Sequence, residues 1–402
     1  MRLFCIQNGL RDRHSHYLQE SEGIAEACRA SGVALRLYAH RRVQPALAAA
    51  TGAVPAFHHA PSTVLETDPV IGILSDYITL AAAFAADCAA LAADGVGAGD
   101  IVLLPYAEAW AVHGLAQFLA TLPAGTRPRV ACHFVMAERN WRLEAGRSRI
   151  AGEASFIRHA ATRLREAAPA GGVLFATVDP RLGAMVRALS GTPCRQVPMP
   201  MRYPPPAELN RLRAAGRHPP VDVCIAGQFR REKGSDLVAP VLAGLAATRP
   251  GARVAVQVND PDGAAALAEA LGPAAEAMEI FLHVGECGHE DWYARLLAAR
   301  LMLLPYEPES YAARTSGIFA EAAACGVPVV APAETWMADQ IEAGHAAGAT
   351  FAAFTPASVL QALAAAEARH PALAAAAGIH RAHWQRGQTV AAWLAAMLAP
   401  AD

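Results

Sequence analysis

The sequence predicts an α/β protein built from two parallel-sheet units joined by a linker, and three observations predict it. Short β-like runs alternate with long alanine-rich helical segments, the pattern of strands connected by crossover helices. The alternation occurs twice, once on each side of residue 200. Between the halves runs QVPMPMRYPPPAELN, whose five prolines from Pro198 to Pro206 prohibit helix and favour an extended connection. In the first half, strands are expected near 2–6, 33–38, 101–105, 129–135 and 173–177. In the second they fall near 221–226, 253–258, 279–282, 301–304 and 327–330. Each half reads as a Rossmann-like unit, with domains at 1–198 and 199–375. A last helical stretch, 372–398, carries Trp384 and Trp393, and its part from 376 onward is expected to pack back on the first domain.

Composition narrows the class. The chain has 402 residues, 54% hydrophobic and 17% charged, which rules out a disordered chain and allows two or three cores. Its 34 basic and 36 acidic residues leave a net charge of −2, without the electrostatic footprint of a nucleic-acid binder. Eight cysteines are scattered singly with no CxxC, as in a reduced, cytoplasmic protein. The start, MRLFCIQNGLRDRH, lacks the apolar core of a signal peptide. The longest apolar runs, 80–86 and 372–379, fall short of the roughly 18 residues that span a bilayer, so no transmembrane segment is expected. From Arg139 to Arg165 there are seven arginines and two acids. That stretch is either a solvated helix face or a surface for an anionic acceptor or the inner membrane face, a peripheral contact.

The basic residues are 33 arginines and a single lysine, Lys233. It lies in VDVCIAGQFRREKGSDLV, where a buried strand ends near Gly227 and a helix begins near Gly234. Ligands of doubly wound sheets bind at the carboxyl ends of strands, and helix N-termini offer free N–H groups to anions. Arg230 and Lys233 stand where a diphosphate would bind; the alternative is an ordinary charged βα loop. The second segment, LMLLPYEPESYAARTSGIFAEAAACGVPVVAP, reads strand, loop, helix, strand. Thr315 or Ser316 can cap that helix and Gly326 can end it. Glu321 is its one charge, costly among small apolar residues unless hydroxyl groups such as those of a ribose satisfy it. A solvent-exposed glutamate is the alternative.

Together these segments resemble the donor-binding domain of retaining, family 4-like glycosyltransferases of the GT-B fold (glycosyl transferases group 1). The glycine, basic residue and Lys-Gly loop of that family is matched by Gly227, Arg230, Lys233 and Gly234. Its carboxylate-bearing helix is matched by Glu321, Ala322, Gly326, Pro328, Val329 and Val330. The resemblance implies a GT-B fold: two Rossmann-like domains facing each other across a cleft, with the C-terminal helix returning to the N-terminal domain. It also implies a nucleotide-diphosphate sugar as donor, UDP- or GDP-linked, transferred to a glycan, lipid-linked or small-molecule acceptor with retention of configuration. No cofactor and no metal are implied. Arg230, Lys233 and the amides near Ser316 and Gly317 would hold the phosphates, Glu321 the ribose, and the backbone at Val284 and Gly285 the base. Two positions depart from the family pattern. Gln228 follows the loop glycine in place of arginine, and Ala313 stands where a first glutamate is common, with Glu307 and Glu309 nearby. Tyr311 and Arg314 are the substitutes expected at the donor sugar. In the first domain the resemblance implies an acceptor or phosphate loop, matched loosely by Gly9 and His16, with His14 beside it. It also implies a histidine facing the donor sugar, His133, for which a satisfied core histidine is the alternative.

Asp260 and Asp262 form a DxD that in another fold would hold Mn²⁺, but turn formation and N-capping suffice for it here. Cys287 and His289 lack a second ligand pair at zinc-site spacing. The rival functions are a catalytically silent nucleotide-sugar binder on the same fold, suggested by Gln228 and Ala313, and a sugar-nucleotide epimerase, for which the first domain lacks an acid cluster.

Overall fold

The computed structural model describes residues 1–13, 16–68, 71–136, 141–144, 147–150 and 154–400. Two compact units are found, Met1–Arg202 with Thr389–Asp402, and Tyr203–Gln388. The division thus falls four residues after the expected one, inside the proline-rich linker, and a helix begins at Pro206, where a proline needs no N–H.

The first unit holds seven parallel strands: β1 (Arg2–Gln7), β2 (Ala34–His40), β3 (Val54–Phe57), β4 (Ile101–Leu104), β5 (Arg129–Phe134), and, after a two-stranded antiparallel hairpin of β6 (Trp141–Glu144) and β7 (Arg147–Ile150), β8 (Val173–Thr177) and β9 (Cys194–Gln196). Their order is β3-β2-β1-β4-β5-β8-β9. Short runs such as the fully buried Ile-Val-Leu-Leu of β4 are what a strand covered on both faces requires. The hairpin and the strands β3 and β9 are absent from the sequence reading, being short or weakly apolar. The helix Gly72–Asp87 packs on Ala109–Thr121, so closely that a Cβ at Gly114 would lie 2.5 Å from the Ala81 carbonyl oxygen.

The second unit has six parallel strands: β10 (Val221–Ile225), β11 (Arg253–Val258), β12 (Glu279–Val284), β13 (Ala299–Leu303), β14 (Val329–Pro332) and β15 (Gly348–Phe351), ordered β12-β11-β10-β13-β14-β15. In both sheets the first strand is third from one edge and the order reverses beside it, which is the doubly wound arrangement. The reversal in the second unit falls between β10 and β13. A crevice for ligands therefore belongs at the carboxyl ends of those two strands.

One expectation needs correction, and one apolar run is longer than expected. The stretch 372–398 is not one helix but two, His370–Gly387 and Val390–Leu398, broken where Thr389 caps the second by accepting the Ala392 amide. The first belongs to the second unit; the second packs against His16–Ser31 in the first unit, where Gly23 leaves room for Val390. The helical run Leu74–Ala93 is, by length and composition, long and apolar enough to cross a membrane. The sequence reading cut it short at Asp87. In the structure that carboxylate is buried and accepts the His58 amide at 2.8 Å, while Tyr77, Leu80, Ala81 and Phe84 are in the core of the unit.

Candidate active site

β10 delivers the chain to Gly227, whose φ of 107° only glycine adopts easily. A Cβ there would also lie 2.4 Å from Ile318 Cδ1, so this glycine touches the helix Gly317–Cys325 directly. Gly234, at φ 82°, is closer still to the next loop: its Cβ would lie 1.9 Å from the Pro305 carbonyl oxygen. The Glu307 amide donates to the Glu232 carbonyl at 3.1 Å. The loops following β10 and β13 are therefore one fused rim, at the point where the strand order reverses.

On that rim Lys233 ends a short 3₁₀ turn, Arg231–Lys233. Its ammonium lies 5.8 Å from the Tyr306 ring centroid and over Gly227, whose Cβ would be 3.5 Å from Nζ. Burial, then Arg230 and Arg314, bring its pKa down to about 8, against the opposing fields of Glu232 and Glu321. Three cations thus share one neighbourhood. Arg230 is partly matched by Glu232, Nε to Oε1 3.2 Å, and Arg314 lies 4.9 Å over the Tyr311 ring. Neighbouring cations that disfavour the charged lysine are the electrostatic setting an anion would relieve.

Glu321 projects from the helix whose N-cap is Ser316, the serine Oγ accepting the Phe319 amide at 3.2 Å. Its carboxylate accepts the Trp292 indole N–H at 3.0 Å and the Tyr293 hydroxyl at 3.4 Å. Burial pushes its pKa up to about 7, the two donors and Lys233 opposing. The Tyr203 hydroxyl is buried nearby without a partner among the described residues, its own pKa raised by burial and then by Glu321 and Cys325. Because the glutamate's pKa in the fold exceeds that of the unfolded chain, the folded state holds more protons between about pH 4.5 and 7, and stability is lost as pH rises through that window. Glu321→Gln is expected to lessen that slope, to which the buried Glu20 of the first unit adds in the same direction, read as melting temperature at pH 5 against pH 7.5. An unchanged slope would remove Glu321 as a source of it.

The third loop is set by side chains absent from the sequence reading. Gln257, on the face of β11 opposite the buried Val256 and Val258, accepts the Gly227 amide at 3.0 Å and donates to the Gly285 carbonyl at 2.9 Å. Asn259 pairs with both backbone groups of Phe229, at 2.7 and 3.1 Å. The visible signal was the alternation of buried Val254, Val256 and Val258 with less buried Arg253, Ala255 and Gln257, continued by Asn259 after the strand. Gly285 follows at φ 83°, and Val284 is exposed beside it.

Ten of the expected residues, Gly227, Arg230, Lys233, Val284, Gly285, Tyr311, Arg314, Ser316, Gly317 and Glu321, lie in the second unit. Tyr311 is buried against Tyr306, ring centroids 4.3 Å apart, beneath Arg314 rather than open to a ligand. Ala313 is buried. Asp260 caps the helix Pro261–Leu271, accepting the Gly263 amide at 2.8 Å. Among the described residues no group of three or more His, Cys, Asp or Glu is arranged to hold a metal ion.

Gly9, His16 and His133 lie in the first unit. The Tyr17 ring fills the space where a Cβ of Gly9 would stand, and His16 packs on Tyr17 and Tyr106 at 4.1 and 5.5 Å. Under them Glu20, also missed from sequence, accepts Gln7 Nε2 at 3.1 Å, its pKa pushed up to about 7 by burial. His133 is only 2% exposed; Nδ1 lies 3.1 Å from the Pro105 carbonyl and the ring is edge-on to Trp393. Burial brings its pKa down to about 4, so it is neutral at pH 7 with Nδ1 as the donor. His14 lies outside the described residues, as does part of the 139–165 stretch.

This architecture is the GT-B fold. Solved structures share it over nearly the whole chain: a glycosyltransferase from Rickettsia africae (TM-score 0.64, 11% identity, 99% of this chain and 96% of that one), sucrose-phosphate synthase from Thermosynechococcus elongatus (0.61, 14%, 99% and 98%), and the Anabaena protein HepE in complex with UDP (0.59, 14%, 97% and 96%). No family model matches the chain, and no curated protein matches its sequence.

Proposed function

We propose that the protein is a glycosyltransferase that moves a sugar from a nucleotide-diphosphate sugar, UDP- or GDP-linked, to an acceptor hydroxyl with retention of configuration and without a metal ion. The observation that carries this reading is the cluster of Lys233, Arg230 and Arg314 on the same rim as the buried carboxylate of Glu321, at the strand-order reversal of the second unit. Breaking the bond from sugar to diphosphate builds negative charge on the leaving phosphate. Lys233 and Arg230 would stabilise it, with the first amides of the Gly317–Cys325 helix, which have no partner within that helix. Glu321 would accept hydrogen bonds from the ribose hydroxyls, Tyr203 would donate to the same ring, and the backbone at Val284 and Gly285 would meet the base. Arg314 would contact the sugar, with Tyr311 supporting it from beneath. The acceptor would be a glycan, lipid-linked or small molecule held by the first unit near Gly9 and His16, with His133 holding the turn after β4.

A second reading has one observation in its favour. At Ala313, buried where the family pattern often has a glutamate, the sugar half of the site lacks a carboxylate, as a silent nucleotide-sugar binder would.

The test is a thermal-shift screen of UDP, GDP, ADP and TDP and their sugar conjugates, in EDTA. A ligand that binds only the folded state raises stability by RT ln(1 + [L]/Kd), about 2.7 kcal/mol at a hundredfold excess over Kd. One nucleotide is expected to raise the melting temperature in EDTA, and its sugar conjugate to be hydrolysed slowly. A shift without hydrolysis or transfer favours the silent binder; a shift that requires Mn²⁺ overturns metal independence.

A further inference from the structure

The helix Gly72–Asp87 of the first unit has an outer face unlike that of an ordinary surface helix. Leu74 is 53% and Ile78 54% exposed, preceded by Ile71 at 60%, and the exposed positions that follow them, Thr79, Ala82 and Ala86, bear no charge. The preceding loop is fastened on top of this helix, because both Asp76 carboxylate oxygens accept loop amides, those of Leu65 and Glu66, at 3.0 Å. Val64 and Leu65, 46% and 48% exposed, belong to that loop, which is held at Asp76, two residues from both Leu74 and Ile78 and so on a different face of the helix.

We propose that this face is the interface of a homodimer, two copies of the helix crossing antiparallel about Ala82. The order of side-chain sizes supports a second copy. Large residues stand at one end of the ridge, Ile71, Leu74 and Ile78, and alanines at the other, Ala82, Ala86 and Ala89. A two-fold axis at Ala82 lays Ile78 on the partner's Ala86 and Leu74 near the partner's Ala89, large against small in both directions, as an isologous contact requires. Area supports it too. Ile71, Leu74 and Ile78 leave about 100 Å² each, and with the exposed Ser75, Thr79, Ala82, Ala86 and Ala89 two copies bring together about 1,000 Å², the lower bound of a specific interface. Charge disfavours an anionic lipid surface as the occupant. The ridge itself has no cation, and Glu66, Asp68 and the Asp76 staple flank it on the loop and first turns; Arg158 and Arg163 lie on another helix, the latter paired with Glu166 at 3.0 Å.

Sedimentation of the full chain tests this at concentrations from 1 to 100 μM. A dimer is expected, reduced to a monomer by Ile78→Glu, with melting temperature confirming that the variant is folded. Independently, Ala82→Cys is expected to give a disulfide-linked dimer under mild oxidant, and Ala90→Cys, away from the crossing, is not. A wild-type monomer throughout, a dimer unaffected by Ile78→Glu, or equal crosslinking of the two cysteine variants would overturn the proposal, as would a monomer that binds anionic vesicles through this face.

Discussion

Lys233→Ala is expected to weaken binding of the preferred nucleoside diphosphate by about 1.5–3 kcal/mol, roughly ten- to more than a hundredfold, the range for a hydrogen bond to a charged group. The unliganded protein should lose little or no stability. In the free state the ammonium is half-buried, faces Arg230 and Arg314, and has its pKa brought down to about 8, so its charge is a burden that an anion relieves. The pH dependence gives the sign independently. Below about pH 8 the lysine is charged and the site is ready; above it the proton must be regained on binding, so wild-type affinity should fall as pH rises past 8. The variant should lack that edge. Calorimetric titration at pH 7 and pH 9 measures both effects, and equal affinities for the two proteins would remove Lys233 from the phosphate site.

The largest effect on the fold of the second unit is expected from Gly234→Ala. Its φ of 82° already strains any other residue, and the added Cβ would meet the Pro305 carbonyl at 1.9 Å. Backbone strain of about 1 kcal/mol and overpacking of about 1–3 kcal/mol add to a loss of about 2–4 kcal/mol. Gly251 is the matched control: its φ is 79°, but nothing lies within 4 Å of an added Cβ. Gly251→Ala should lose only the backbone share, about 1 kcal/mol. Chemical denaturation of the two variants separates strain from collision. If both lost the same stability, the close approach of the β10 and β13 loops would not be what fixes Gly234.

Much of the fold was legible because parallel strands buried on both faces leave compact apolar runs. β4 and β10 stand out from the polar and alanine-rich segments around them, and the reading placed ten strands near where they occur. β3, with its proline, and β9, three residues long, carry too little apolar signal to be told from loops. β15 opens on Gly348, where a Cβ would lie 1.9 Å from the Val329 carbonyl; close backbone approach, rather than hydrophobic pattern, defines that strand. At the site, residues on Gly-containing turns and caps were visible because their chemistry is local: Gly227, Lys233, Gly234 and Ser316. Gln257, Trp292 and Tyr293 were not, because each matters through a partner about 30 residues away in sequence, and nothing in the immediate neighbourhood of any of them announces that partner; Tyr203, buried near Glu321 from within the proline-rich linker, gave no signal either. The reading of Tyr311 as an open contact overlooked that an aromatic next to Tyr306 gains more by stacking beneath Arg314 than by facing water.

The amide of Gln257 has a consequence for how such a protein can change its preferences. A single side chain grips the Gly227 N–H with one end and the Gly285 C=O with the other. If, as proposed, the turn at Gly285 meets the base and Lys233 the diphosphate, remodelling that turn for a different purine or pyrimidine would tug on the glycine beneath the lysine, and nucleobase selectivity would not drift freely of the strength with which the pyrophosphate is held.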